Sequence, residues 1–172
     1  MKNKIILTGY MGSGKTIVGK LLSNRIGYRY VDLDNFIELN EKKTIKDIFS
    51  SRGEIYFRKI EKDYLIQVLS ATEPMVISLG GGTPCYSNNH ELLRRDDLNS
   101  IYLKANVDTI LSRIQNEKIK RPLLSDIDDS ELKDFIAQHL FERSYFYHFS
   151  KFIINVDNKN VDQIVDEILA LN

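Results

Sequence analysis

The chain has 172 residues, enough for one domain with a substantial core and too few for two domains of ordinary size. Lysine and arginine together number 24, as do aspartate and glutamate, so we expect no overall basic field that would attract nucleic acid. A single cysteine, Cys85, excludes an internal disulfide and a cysteine-based zinc site, and no apolar run approaches the ~20 residues of a membrane-spanning helix.

The N-terminal segment predicts a strand, a loop and a helix. Lys4–Thr8 is apolar enough for a short, fully buried strand, and apolar residues recur on one helical face of Lys15–Ile26. The loop between them and the first two helical residues, 9–16 in all, match G-x-x-x-x-G-K-[ST], a phosphate-binding loop in its proper context. A strand-to-helix turn that binds nothing is the alternative, and the complete motif disfavours it. The chain is therefore predicted to bind a nucleoside triphosphate.

Each part of this loop has a physical role. Gly9, Gly12 and Gly14 permit backbone dihedrals that other residues avoid, so successive N–H groups can converge on a phosphate at the positive end of a helix. Lys15 can reach the β and γ phosphates, and the hydroxyl of Thr16 can bind magnesium.

A second strand, predicted over residues 28–31, ends at two acids, Asp32 and Asp34. Ligands of open α/β sheets bind beyond the carboxyl ends of the strands, and alternation along an extended chain would put both acids on one side. One can assist magnesium through water while the other orients or deprotonates a substrate hydroxyl. The alternative is that Asp34 or Asn35 is a helix N-cap, which is compatible with catalysis.

Residues 53–61, GEIYFRKIE, are predicted to open a long helix that carries Arg58. On its own, this arginine has a purely structural explanation. Glu54 at i−4 and Glu61 at i+3 are both possible partners on a solvated helix face.

The third predicted strand, Met75–Ser78, is followed by three consecutive glycines, Gly80, Gly81 and Gly82. Three glycines are costly in backbone entropy, and close approach of the backbone to a ligand explains them better than an ordinary turn does. A strained structural turn is the alternative.

Strands over residues 100–103 and 151–155 complete a set of about five, with helical segments between them. This alternation is typical of a single α/β domain with an open parallel sheet covered on both faces by helices. Residues 115–130 are polar and interrupted by Pro122, which is consistent either with a mobile lid or with an ordinary solvated connection.

Three arginines, Arg113, Arg121 and Arg143, come late in the chain. Guanidinium groups bind carboxylates and phosphates through two parallel hydrogen bonds and neutralise charge that develops in phosphoryl transfer. Each arginine alone is a weak indication, because isolated surface arginines are usually solvated.

Taken together, the motifs resemble the shikimate kinase family over nearly the whole chain. They occur in the order G-x-M-G-S-G-K-T, D-x-D, G-E-x-x-F-R-x-x-E, S-L-G-G-G, R-P-L-L and R-x-x-x-Y. The resemblance implies a three-layer α/β/α P-loop fold of the nucleoside monophosphate kinase type, with a five-stranded parallel sheet and a mobile lid at about residues 113–125. It also implies transfer of the γ-phosphoryl group of ATP to the 3-hydroxyl of shikimate, in chorismate and aromatic amino-acid synthesis.

The resemblance also implies a role for each matching position. The nucleotide side would consist of Gly12, Ser13, Gly14, Lys15, Thr16, Ile17, Arg113, Arg121 and Lys159. The shikimate side would consist of Asp34, Arg58, Gly80, Gly81, Gly82 and Arg143, in which the two arginines hold the carboxylate. Thr16, with Asp32 acting through water, would hold Mg²⁺, and Lys15, Asp34 and Arg121 would be catalytic.

Two other functional classes share parts of this pattern. A gluconate or nucleoside monophosphate kinase would need Lys15 and Thr16, but it has no evident need for Arg58, the three glycines and Arg143 in this arrangement. A regulatory nucleotide-binding protein would leave the acceptor-side residues without a purpose. We therefore expect a monomeric cytoplasmic kinase whose partners are the small molecules shikimate and ATP, with no nucleic acid or membrane.

Overall fold

The computed structural model describes residues 2–115, 127–128 and 130–171. Its strands are β1 Lys4–Thr8, β2 Arg29–Asp32, β3 Met75–Ser78, β4 Leu98–Lys104 and β5 Phe152–Asn155. Its α-helices are α1 Lys15–Ile26, α2 Leu33–Glu41, α3 Ile45–Ser70, α4 Asn89–Leu92, α5 Val107–Ile114, α6 Leu132–Tyr147 and α7 Val161–Leu169. Thr83–Cys85 forms a short 3-10 turn. No helix within these ranges is long and apolar enough to cross a membrane.

The five strands form one parallel sheet in the order β2-β3-β1-β4-β5. All of β1 is buried, because it is the central strand and is covered on both faces. Ile5 and Leu7 belong to a core shared with α1, α5, α6 and α7, whereas Ile6 belongs to a core shared with α2 and α3. This alternation gives three layers, α/β/α, and confirms the predicted fold class.

The predicted strand positions are correct to within one or two residues. β2 lies one residue later than predicted, because the N–H of Tyr28 bonds the carbonyl of Ser23 and so completes the C-terminal end of α1 at Gly27. β4 is longer than predicted, because Leu98 pairs with Lys4 of the central strand. β5 begins one residue late, at Phe152.

The helix that carries Arg58 begins earlier than predicted. The chain is already helical from Ile45, with Thr44 as the N-cap. Gly53 interrupts the helix with dihedrals of φ 79° and ψ 172°, so the predicted start at residue 53 is a break inside α3. Because only glycine adopts such dihedrals readily, the break is encoded at this position.

Because all strands are parallel, their carboxyl ends lie at one edge of the sheet. The phosphate loop follows β1 at this edge, α2 follows β2, and the three glycines follow β3. The nucleotide loop and the acceptor-side motifs are therefore neighbours.

Most of the predicted lid, including Arg121, lies outside the described residues.

Candidate active site

The phosphate loop has the backbone that its glycines were predicted to allow. Gly9, Gly12 and Gly14 have φ values of 143°, 79° and 98°. A Cβ atom on Gly12 would lie 2.7 Å from Cγ2 of Ile114, so a side chain is excluded by space as well as by conformation.

The N-terminus of α1 is open to an anion. Gly14 is the N-cap residue and provides no side-chain acceptor for the first N–H groups of the helix. The Nζ of Lys15 lies over the same loop and donates to the carbonyls of Gly9, at 2.7 Å, and Tyr10, at 2.9 Å. The hydroxyl of Ser13 is buried, and within the described ranges it has no hydrogen-bond partner. These groups can together surround a phosphate.

Thr16 and Asp32 meet beside this loop. The hydroxyl of Thr16 donates to Oδ2 of Asp32 at 3.4 Å, and Oδ1 of Asp32 accepts from the N–H of Asn35 at 3.4 Å. The N-cap of α2 is therefore Asp32, and the alternative in which Asp34 or Asn35 caps this helix is wrong. The reason is that β2 runs into α2 without an intervening loop.

Asp34 lies in the first turn of α2. We predicted that Asp32 and Asp34 point to the same side because side chains alternate along an extended chain. That reason does not hold, since the helix already begins at Leu33. The two acids are nevertheless neighbours. Burial, together with the charges of Asp32 and Glu61, raises the pKa of Asp34 to about 7, although Lys15 and Arg58 act in the opposite direction. Asp34 thus lies within electrostatic reach of both the phosphate loop and α3.

Both predicted structural partners of Arg58 are present. Its Nε donates to Glu54 at 3.3 Å, and its Nη1 donates to Oε2 of Glu61 at 2.9 Å. These contacts do not take the side chain out of the site. A Cβ atom on Gly82 would lie 3.1 Å from Nη2 of Arg58, so the guanidinium faces the glycine turn.

Glu61 is a site residue that the sequence reasoning treated only as a possible partner of Arg58. Its side chain is 1% exposed, and its second oxygen accepts a hydrogen bond from the hydroxyl of Thr83 at 2.7 Å. It therefore joins α3 to the turn that follows the glycines. The second glutamate of the G-E-x-x-F-R-x-x-E motif was the available signal.

None of the three glycines has a positive φ, so unusual dihedrals do not explain them, and space is most restricted at Gly80. A Cβ atom on Gly80 would lie 2.7 Å from Oδ1 of Asp34. On Gly81 it would lie 3.5 Å from the backbone nitrogen of Met11, so the glycine turn packs against the phosphate loop. The hydroxyl of Tyr147, on α6, donates to the carbonyl of Gly81 at 2.6 Å. The structure therefore shows close approach of protein groups to this turn, and the predicted approach of a ligand to the glycine backbone stays a prediction.

Arg143 reaches the same region from α6. Its Cζ lies 5.8 Å from the centroid of the Tyr10 ring in the phosphate loop. Burial raises the pKa of the Cys85 thiol to about 11, while Arg143 and Arg58 both act to lower it. Cys85 is therefore within electrostatic reach of both arginines. A thiol with this pKa stays protonated near neutral pH, which disfavours a nucleophilic role.

On the other side of the loop, Arg113 donates from Nη1 to the carbonyls of Gly12 and Ser13, both at 3.2 Å, and from Nη2 to Val156 at 3.3 Å. It thus joins the phosphate loop to the end of β5. Lys159 pairs with Glu167 at 2.6 Å, and in the part of the chain that the structure describes it makes no hydrogen bond to the loop. The side chain of Ile17 is exposed at the start of α1.

Comparison with known proteins identifies the family. A sequence model described as shikimate kinase matches residues 11–171. The chain belongs to the shikimate kinase family. A shikimate kinase of Flavobacterium johnsoniae is 48% identical over 168 residues, which cover 98% of each chain. The family predicted from the ordered motifs is thereby confirmed.

Solved structures agree with this assignment. A shikimate kinase from Bacteroides thetaiotaomicron matches with a TM-score of 0.90 and 37% identity, covering 98% of this chain and 97% of that one. One from Acinetobacter baumannii, solved in complex with shikimate, matches with a TM-score of 0.86 and 30% identity, covering 98% of this chain and 91% of that one.

Proposed function

We propose that this chain transfers the γ-phosphoryl group of MgATP to the 3-hydroxyl of shikimate, giving shikimate 3-phosphate and ADP for aromatic amino-acid biosynthesis. The observation that carries the proposal is the environment of Asp34. Burial raises the pKa of its carboxyl to about 7, and the carboxyl lies within electrostatic reach of both Lys15 and Arg58. A base at this position is within reach of a hydroxyl group brought close to the γ-phosphate.

On the nucleotide side, the open N-terminus of α1 and Lys15 bind the β and γ phosphates in this proposal. Lys15 now donates to two loop carbonyls and would exchange them for phosphate oxygens. Arg113, at the junction of the loop and β5, is proposed to face the adenine, with Ile17 and Lys159 nearby. Arg121, the arginine expected to reach the phosphates, lies outside the described residues.

The residues near Thr16 fit magnesium. A hydroxyl and a carboxylate 3.4 Å apart are hard oxygen donors, which Mg²⁺ prefers. Within the described ranges there is no cluster of three or more acidic, histidine or cysteine side chains that could hold a metal alone. The proposal is therefore that the ion binds with the nucleotide and completes its coordination from phosphate oxygens and water. When bound, it would neutralise charge on the phosphates.

On the acceptor side, Arg58 and Arg143 are proposed to hold the carboxylate of shikimate, while Asp34 and the backbone of Gly80, Gly81 and Gly82 bind its ring hydroxyls. The support is that Arg58 faces the glycine turn and Asp34 packs against Gly80. Arginine is suited to this task, because its guanidinium keeps its charge at any physiological pH and carries several N–H donors.

The proposed chemical step is an in-line displacement. The 3-hydroxyl oxygen forms a bond to the γ-phosphorus as the bond from that phosphorus to the β–γ bridging oxygen breaks and ADP leaves. The hydroxyl proton passes to the carboxylate of Asp34, while Lys15 stabilises charge on the transferring group. Positioning of the two substrates supplies much of the acceleration.

The proposed site needs no residue from a second copy of the chain, and we propose that the enzyme is a monomer. ATP as co-substrate supports a cytoplasmic location. Size-exclusion chromatography coupled to light scattering tests the first point, and a stable dimer that is required for turnover would contradict it.

The experiment that tests the function is ADP release from MgATP by the purified protein. We expect strong stimulation by shikimate and little by gluconate or nucleoside monophosphates. Stimulation by one of those other acceptors would replace the proposed substrate. Slow release that no acceptor changes would favour a regulatory nucleotide-binding protein.

Gly80→Ala is expected to lower kcat strongly. The new Cβ atom would lie 2.7 Å from Oδ1 of Asp34 and 3.0 Å from Oγ1 of Thr83, so the carboxylate must shift from its position. A misplacement of about 1 Å can cost roughly a hundredfold in rate. Steady-state kinetics measures this, with Gly27→Ala as a control for loss of stability alone, because its φ of 69° strains an alanine while a Cβ atom there would meet none of the described atoms within 4 Å. Normal kcat in Gly80→Ala would show that the packing against Asp34 is not needed.

A further inference from the structure

The ring of Tyr86 lies against the guanidinium of Arg58. Cζ of Arg58 is 3.8 Å from the ring centroid, within the distance at which a cation and an aromatic face attract each other. Two other rings are farther from the same cation, Phe57 at 5.1 Å and Phe49 at 5.8 Å. Tyr86 is 37% exposed, so it is not a core residue. No motif that identified the family includes it.

Hydrogen bonds restrain two of the three guanidinium nitrogens. Nε and Nη1 donate to Glu54 and Glu61. Nη2 makes no hydrogen bond to any residue that the structure describes, and it faces the turn at Gly82. The two glutamates therefore hold Nε and Nη1, and Tyr86 covers one face of the guanidinium. Nη2 remains as a donor on the side of the glycine turn.

We infer that Tyr86 is a positioning residue for the carboxylate of the acceptor and acts through Arg58. The hydrogen bonds from Nε and Nη1 restrain the guanidinium within its plane, and the ring restrains its tilt out of that plane. The ring also keeps water from the face that it covers, so the attraction between Arg58 and a carboxylate is less screened. This inference rests on the proposed function, because it assigns the carboxylate of shikimate to Arg58.

Substitutions at Tyr86 separate the ring from the hydroxyl. Tyr86→Leu removes the aromatic face but keeps an apolar side chain, whereas Tyr86→Phe keeps the face. For Tyr86→Leu we expect the KM and Kd for shikimate to rise at least about threefold, and by no more than the roughly thirtyfold that one whole cation–π contact corresponds to, because the contact already exists before shikimate binds. We expect kcat and the KM for ATP to stay within about twofold of the parent values, since a uniform loss of binding leaves kcat unchanged. Tyr86→Phe should match the parent.

Tyr56→Leu is the matched control. It removes another arginine–tyrosine contact of α3, in which Cζ of Arg52 lies 5.2 Å from the Tyr56 ring centroid, and it should not change the KM for shikimate. An equal rise in KM in this control would show a general effect of α3, and would overturn the inference.

A double-mutant cycle tests whether Tyr86 acts through Arg58. In an Arg58→Lys background, Tyr86→Leu should have little further effect on the Kd for shikimate, measured by titration calorimetry. Additive effects would overturn the inference, as would an unchanged Kd in Tyr86→Leu alone. Failure of the proposed function is a different result, since the parent protein would then show no shikimate-dependent ADP release.

Discussion

Asp34→Asn is expected to lower kcat for shikimate phosphorylation by about two to four orders of magnitude, the usual contribution of a positioned general base. Asparagine keeps the size of the side chain and one acceptor oxygen, but it cannot take the proton of the hydroxyl. The KM for ATP should change little, because Lys15 and the loop N–H groups bind the phosphates. Steady-state and single-turnover kinetics measure both effects. Turnover within about threefold of the parent would exclude Asp34 as the base.

The pH dependence gives an independent test. Only ionised Asp34 can accept a proton, and burial raises the pKa of this carboxyl to about 7. In the parent enzyme, kcat/KM for shikimate should therefore be constant above this pH and fall about tenfold per pH unit below it. The residual activity of Asp34→Asn should lack this step. A parent profile that stays flat down to about pH 5.5 would contradict the assignment, because a base of this kind is protonated there.

The loss of activity in Asp34→Asn should not be a loss of fold. The folded-state pKa of this carboxyl lies above its value in the unfolded chain, so ionisation destabilises the native state increasingly as pH rises from about 4 to 7. The variant should consequently be at least as stable as the parent at about pH 8, with a smaller difference near pH 4.5. Urea denaturation at both pH values measures the free energy of unfolding.

Arg58→Met is expected to weaken shikimate binding by at least about thirtyfold, since truncating one member of a buried charge pair costs roughly 2–5 kcal/mol. It should also destabilise the fold by about 3–5 kcal/mol, because Glu61 would remain buried without its counter-charge. Calorimetric titration with shikimate and urea denaturation measure the two losses separately.

A second substitution separates these two roles of Arg58. Glu61→Gln, added to Arg58→Met, removes the unpaired charge while keeping an acceptor for the hydroxyl of Thr83, which lies 2.7 Å from Oε1 of Glu61. We expect the double variant to recover most of the lost stability and none of the shikimate affinity. Recovery of affinity together with stability would mean that Arg58 only supports the fold.

Local sequence patterns were sufficient for the sheet, the phosphate loop and family membership. The loop could be predicted because its residues are contiguous, and Arg58 and Asp34 could be singled out because they belong to short motifs. The N-cap of α2 was misassigned, since nothing in the sequence fixes where β2 stops and α2 begins. The bond from Tyr147 to Gly81 joins residues 66 positions apart, and such a contact depends on packing of the whole domain.

The roles of Glu61 and Tyr86 could not be predicted either, because both depend on contacts between distant parts of the chain. Glu61 was visible as a neighbour of Arg58 along the helix, but its contact with Thr83 requires α3 and the glycine turn to be in place. Tyr86 follows that turn and meets Arg58 from outside the helix, so no local spacing connects the two.

The packing of Gly81 against the phosphate loop affects how this enzyme could be re-engineered. The segment after β3 contacts the backbone around Met11 on one side and is bonded to α6 through Tyr147 on the other. A transplant of this segment from a kinase with a different acceptor would therefore disturb nucleotide affinity as well as acceptor choice. A working chimaera would have to exchange three parts at once: this segment, the part of α6 that contacts it and the nucleotide loop.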